Sequence, residues 1–95
     1  MASNLEFVQF VCDQLGEQVS CRRMFGEYGL FAHGKYFACV CDNQLFFKAT
    51  PGGRTLLGSA LGSCQLEPPY PGAAPYLLVT QLEDRELLSR LLEAT

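Results

Sequence analysis

The chain has 95 residues, 48% of them apolar and 18% charged, with a formal net charge of -3. This composition excludes a disordered chain, leaves room for one core and no second domain, and lacks the positive balance through which nucleic acid is bound by bulk electrostatics. No apolar run approaches the roughly 18 residues of a membrane-spanning helix, and the N-terminus has no basic segment leading into an apolar one, so a cytoplasmic protein is expected.

Ser3-Asn4-Leu5-Glu6 has the form of a capping box, a hydroxyl followed three residues later by a carboxylate. Leu5, Val8, Cys12 and Leu15 recur at helical spacing, with Phe7 and Val11 widening the stripe, which predicts a first helix from Asn4 to Leu15 closed by Gly16. Val19 to Phe25 reads as the first strand. Gly26 and Gly29 interrupt the next pattern and mark a bulge or a close backbone approach. Tyr28 to Ala32, Lys35 to Cys41 and Gln44 to Ala49 follow as strands, joined at His33-Gly34 and Asp42-Asn43, residues that tolerate the positive φ of tight hairpins.

Regular alternation across these hairpins puts Tyr36, Ala38, Val40, Leu45, Phe47 and Ala49 on one face. Leu30, Phe37, Cys39, Cys41, Phe46 and Lys48 fall on the other. Both sets are mostly apolar, so both faces need cover: helices for one, a further helix or a second subunit for the other. An isologous homodimer through the sheet is the expected form.

Thr50-Pro51-Gly52-Gly53 reads as a break. Thr55 to Leu61 is expected to form a short helix with Leu56, Leu57, Ala60 and Leu61 inward and Gly62 at its end. Cys64 to Leu66 reads as a short strand. Glu67 to Pro75 holds four of the five prolines and reads as a loop. Tyr76 to Val79 is a strand. Thr80-Gln81-Leu82-Glu83 is a second capping-box form before Leu87, Leu88, Leu91 and Leu92, which predict a helix from Glu83 to Ala94. The expected fold class is therefore α+β: one domain over 1–95, a single antiparallel meander with N-terminal and C-terminal helices and a short middle helix.

The residue types that carry chemistry are sparse. The five cysteines are odd in number and contain no Cys-x-x-Cys pair; only Cys39 and Cys41 are close, so no zinc site and no cofactor is expected. Phe37 and Phe46 beside them point to apolar packing. His33, the single histidine, falls in a turn without a nucleophile or an orienting partner. Gly52-Gly53-Arg54 lacks the Lys-Ser/Thr ending of a phosphate loop. Arg22 and Arg23 point to opposite sides of a regular strand; one reading is a bidentate contact to a partner carboxylate or phosphate, the other an internal ion pair. Lys35, Lys48 and Arg54 are too scattered to make the pair a nucleic-acid strip.

Arg23-Met24-Phe25-Gly26-x-Tyr28-Gly29-Leu30-Phe31, Gly34-x-x-Phe37-Ala38 and Leu45-Phe46-Phe47-Lys48 together resemble the N-terminal domain of the TfoX/Sxy family, bacterial proteins associated with regulation of natural competence. Tyr70-Pro71 and Tyr76-Leu77-Leu78-Val79 fit the same plan. The resemblance implies a secretion-chaperone-like fold. It also implies a non-enzymatic regulator that acts with a cyclic-AMP receptor-type activator. Within the motif, Met24, Phe25, Gly26, Gly29 and Gly34 are expected to be structural. Glu27 stands where the family usually has a small residue, and regulators of the family carry a second, C-terminal domain that this sequence does not contain.

The expected function is a protein-interaction domain with Arg22, Arg23, Tyr28, Lys48 and Tyr70 as contact residues. The alternative is a small-molecule pocket between the sheet, the proline-rich loop and the C-terminal helix, lined by Tyr70, Tyr76 and Arg23. A cysteine- or histidine-dependent enzyme and direct DNA binding are the weaker readings.

Overall fold

A computed structural model describes residues 3–24, 26–62 and 65–95, and the side chains of all of these except Ala60 and Leu61. Phe25 of the family motif, Cys64, and the inward positions expected for Ala60 and Leu61 lie outside the described residues. The elements are α1 (Leu5–Leu15), β1 (Val19–Met24), β2 (Glu27–Ala32), β3 (Lys35–Cys41), β4 (Gln44–Phe47), α2 (Pro51–Leu61), β5 (Leu66–Glu67), β6 (Tyr76–Val79) and α3 (Arg85–Ala94). The six strands form one antiparallel sheet in the order β1-β2-β3-β4-β6-β5, which makes the domain α+β as expected.

The two central hairpins turn on residues in the left-handed region: His33 (φ 52°) with Gly34 (φ 78°), and Asp42 (φ 52°) with Asn43 (φ 57°). Two positive φ values in succession match the right-handed twist of the flanking strands, which fixes the β3–β4 register as Val40 opposite Leu45 and Cys39 opposite Phe46.

The β2–β3 register is not regular. Leu30 pairs with Ala38, but Phe31 pairs with Tyr36, so Phe37 is an extra residue in β3. A bulge of this kind sends two successive side chains to the same side. Phe37 and Ala38 both enter the main core, and Phe37 stacks on Phe47 at 5.3 Å between ring centroids. Tyr36 is thereby turned to the opposite face, beside Cys39 and Cys41. This corrects the faces expected for Tyr36, Phe37 and Leu30, which assumed unbroken alternation.

All three helices pack on one face of the sheet. Val8, Val11 and Leu15 of α1, Leu57 of α2 and Leu87, Leu88 and Leu91 of α3 meet Leu30, Val40, Leu45, Phe47, Leu77 and Val79. Burying a side chain of this size contributes about 1.5–3 kcal/mol relative to leaving it in water, so this layer carries most of the stability.

The helix ends correct three readings. Asn4, not Ser3, caps α1 and accepts from the Glu6 amide. Ser3 instead ties the N-terminal segment to the β3–β4 turn, its hydroxyl accepting from the Asn43 amide at 3.0 Å. Thr50-Pro51-Gly52-Gly53 is not a break but the start of α2. Thr50 is the cap, its hydroxyl accepting from the Gly53 amide, and Pro51 occupies the first turn, where its missing N–H costs nothing. The two glycines permit close packing: a Cβ on Gly52 would run into the Ala94 carbonyl oxygen, and one on Gly53 would lie 3.1 Å from Leu77. At α3 the cap is Asp84, which accepts from the Leu87 amide, so the helix begins two residues later than Thr80-Gln81-Leu82-Glu83 suggested.

Candidate functional site

On the face away from the helices, Cys39, Cys41 and Phe46 are 6%, 6% and 3% exposed, with Tyr36, Tyr76 and Leu78 packed around them. A second subunit was expected to cover this face; the proline-rich segment between β5 and β6 supplies part of the cover itself. Pro69 is buried, and Pro69, Tyr70 and Pro71 form one wall of a groove of about 880 Å³. The facing wall comes from Gly26, Glu27 and Tyr28, and the floor from Met24, Gly29, Tyr36, Cys39, Cys41 and Tyr76. Tyr70 stands at the rim, 56% exposed. The C-terminal helix takes no part in this groove: α3 packs on the opposite face.

Gly29 shapes the floor. A Cβ there would collide with the Met24 sulfur and lie 3.3 Å from the Tyr36 ring, so the absent side chain is what lets the Met24 thioether lie flat over β2. Gly26 has φ 81° and supplies the left-handed residue of the β1–β2 turn. The two motif glycines thus have different tasks, one of backbone conformation and one of space.

Glu27 locks one end of the groove. Its carboxylate accepts from the Ser3 amide at 2.9 Å and from the Asp42 amide at 3.0 Å, joining the N-terminal segment, β2 and the β3–β4 turn. Partial burial pushes its pKa up, but hydrogen bonds from Ser3 and Asp42 outweigh this and hold it below the ordinary value.

The expected contact residues are divided between the faces. Arg22 pairs with Gly29 on the groove side and lies over the Phe31 ring at 5.3 Å. Arg23 pairs with Tyr28 on the helix side and lies over that ring at 5.7 Å. Tyr28 itself packs against the main core. The Lys48 amide bonds to the Phe37 carbonyl, as the register requires, and its ammonium lies 5.5 Å above the Tyr36 ring on the groove side. Arg22, Lys48 and Tyr70 therefore share the groove face, whereas Arg23 does not line the groove and Tyr28 contributes chiefly to the core.

The groove's titratable side chains are electrically quiet. Burial pushes the Cys39 thiol up, and pushes Cys41 up to about 12 with help from the neighbouring Cys39. Burial and the hydrogen bond to Tyr76, 3.2 Å between hydroxyl oxygens, likewise raise Tyr36. A thiol so shifted is almost wholly protonated at neutral pH and is a poor nucleophile. His33 is exposed in its turn and does not line the groove. Among the described residues, no three His, Cys, Asp or Glu side chains converge as a metal site, and no helix is long and apolar enough to cross a membrane.

The molecule is thus a three-helix, six-stranded α+β domain whose helix-free face is hollowed and roofed at one side by its own loop. The model of the TfoX N-terminal domain family matches residues 11–95, and the chain belongs to that family. It is also 37% identical over 78 residues to an uncharacterized 12.7 kDa protein in the trpE 5' region of Spirochaeta aurantia. That match covers 80% of this chain and 64% of the relative's length.

The sheet, its hairpins and the proline-rich loop were readable in the sequence. The bulge at Phe37, which turns Tyr36 into the groove, was not. With apolar residues on both faces, the run Tyr36-Phe37-Ala38 carries no polar residue that would mark the change of side.

Proposed function

We propose that this chain is a non-enzymatic protein-docking domain that binds its partner through the groove beneath the proline-rich loop. The groove itself carries this reading: an apolar floor, an exposed tyrosine at the rim, and Arg22 and Lys48 beside it on the same face. Aromatic anchors surrounded by a polar, charged rim are the usual make-up of a contact site. The raised thiol and phenol pKa values support docking over catalysis. The two cations favour a partner segment with acidic residues next to an apolar side chain.

Membership of the TfoX N-terminal domain family makes transcriptional control of competence, in the cytoplasm, the proposed setting. A cyclic-AMP receptor-type activator is the proposed partner. Binding of the purified activator, measured by calorimetry, should be weakened by Tyr70→Ala and by Arg22→Glu, and left unchanged by Arg54→Ala on α2. Binding that ignores Tyr70 and Arg22 would rule the groove out. Self-association through the same face is the competing use of the surface; sedimentation over a concentration series reads it directly.

The second reading is a small-molecule site. The groove's volume falls within the range of about 300–1,000 Å³ typical of ligand pockets. A rise in melting temperature with an aromatic or apolar compound, abolished by Tyr76→Ala in the groove floor, would favour it over docking.

A further inference from the structure

The floor of the groove gathers three sulfur side chains. Cys39 and Cys41 point the same way from one strand, with their sulfurs 4.0 Å apart. Met24 lines the same groove, its thioether lying over Gly29, the cross-strand partner of Cys39. We propose that Cys39, Cys41 and Met24 form a binding site for one monovalent soft metal ion, Cu(I).

The spacing favours a shared ion over a disulfide. Metal–thiolate bonds of about 2.3 Å place two sulfurs on one three-coordinate ion about 4.0 Å apart. A disulfide needs the sulfurs at about 2.05 Å and the Cβ atoms at about 3.8 Å, against the roughly 6.7 Å rise between same-face neighbours on a strand. The donor set selects the metal. Zinc takes four ligands in a closed site and rarely a thioether, whereas two thiolates and a thioether suit three-coordinate Cu(I).

Tyr36 packs beside the cysteine pair, its hydroxyl hydrogen-bonded to that of Tyr76. Binding forms two Cu–thiolate bonds and one longer Cu–thioether bond and releases two thiol protons to solvent, leaving the centre with one negative charge. Lys48 lies over the Tyr36 ring on the same face, whereas Glu27 and Asp42, which line the groove, oppose that charge. Both thiols line the groove, so an ion has a way in.

The test is an anaerobic titration of the reduced chain with Cu(I) against a chromophoric Cu(I) chelator. One ion per chain is expected in the wild type and equally in Cys12→Ser/Cys21→Ser and in Cys64→Ser, with binding lost in Cys39→Ser and in Cys41→Ser. X-ray absorption should show sulfur neighbours only, two short and one longer. Met24→Leu, which keeps both thiols and the volume, should weaken binding and remove the longer sulfur. Binding that survives Cys39→Ser/Cys41→Ser, or nitrogen or oxygen neighbours in the wild type, would overturn the site. Unchanged affinity in Met24→Leu would overturn the three-sulfur set even if the thiol variants fail to fold.

Discussion

The sheet's two faces are both apolar, yet they are completed in different ways. On one, α1, α2 and α3 lay continuous stripes of Leu and Val over Leu30, Val40, Leu45, Phe47 and Val79, and nothing is left open. On the other, a short proline-rich segment leans over Cys39, Cys41 and Phe46 and leaves a groove beside them. Apolar area on the first face contributes to folding. On the second, Cys39, Cys41 and Phe46 are buried as well, but Tyr36, Tyr76 and Leu78 around them are only partly covered. The same residue types close one face and leave a groove on the other, and what separates them is the cover.

The largest test of this contrast is truncation on either side. Phe47→Ala, at a fully buried position, should cost about 3–5 kcal/mol in urea unfolding. Leu78→Ala, on the half-buried groove side, should cost clearly less. Equal costs would mean that the groove face is ordinary core.

A smaller effect separates two glycines. Gly52→Ala drives a methyl into the Ala94 backbone where α2 meets α3, and should cost about 1–3 kcal/mol. Gly29→Ala collides with the far end of the flexible Met24 side chain and only crowds the Tyr36 and Phe31 rings, so it should cost less stability while reshaping the groove. A reversed order would contradict the view that rigid packing lies on the helix side.

The smallest effect is the pH dependence of the Glu27 clamp. Its folded pKa lies below its ordinary value of 4.5, so the ionised form favours the folded state. That contribution is present above about pH 4.5 and is lost as the pH falls through the folded value. The stability gap between wild type and Glu27→Gln should therefore be wider at pH 7 than at pH 3. A gap independent of pH would remove the charge from the explanation.

The sequence made one face far more legible than the other. Val8, Val11 and Leu15, and Leu87, Leu88 and Leu91, repeat at helical spacing because each helix meets a single flat partner, so periodicity alone identifies them. His33-Gly34 and Asp42-Asn43 announce their hairpins because few residues accept positive φ. Thr50-Pro51 was readable as a cap and first helical residue, but the glycines after it masked the signal; the reason for those glycines is the proximity of Ala94 and Leu77, which local pattern does not contain. The groove was hardest to read. It depends on a one-residue bulge at Phe37, on a long loop folding back over the sheet, and on the placement of Met24 over Gly29, all of which are properties of the assembled sheet.

The central claim is that the groove beneath the proline-rich loop is where this domain meets its partner. Amide NMR of the labelled chain, titrated with a purified cyclic-AMP receptor-type activator, tests it most directly. The account predicts saturable changes concentrated at Tyr36, Cys39, Tyr70 and Tyr76, which line the groove, with α1 and α3 undisturbed. Changes confined to the helices, or none at all, would contradict it.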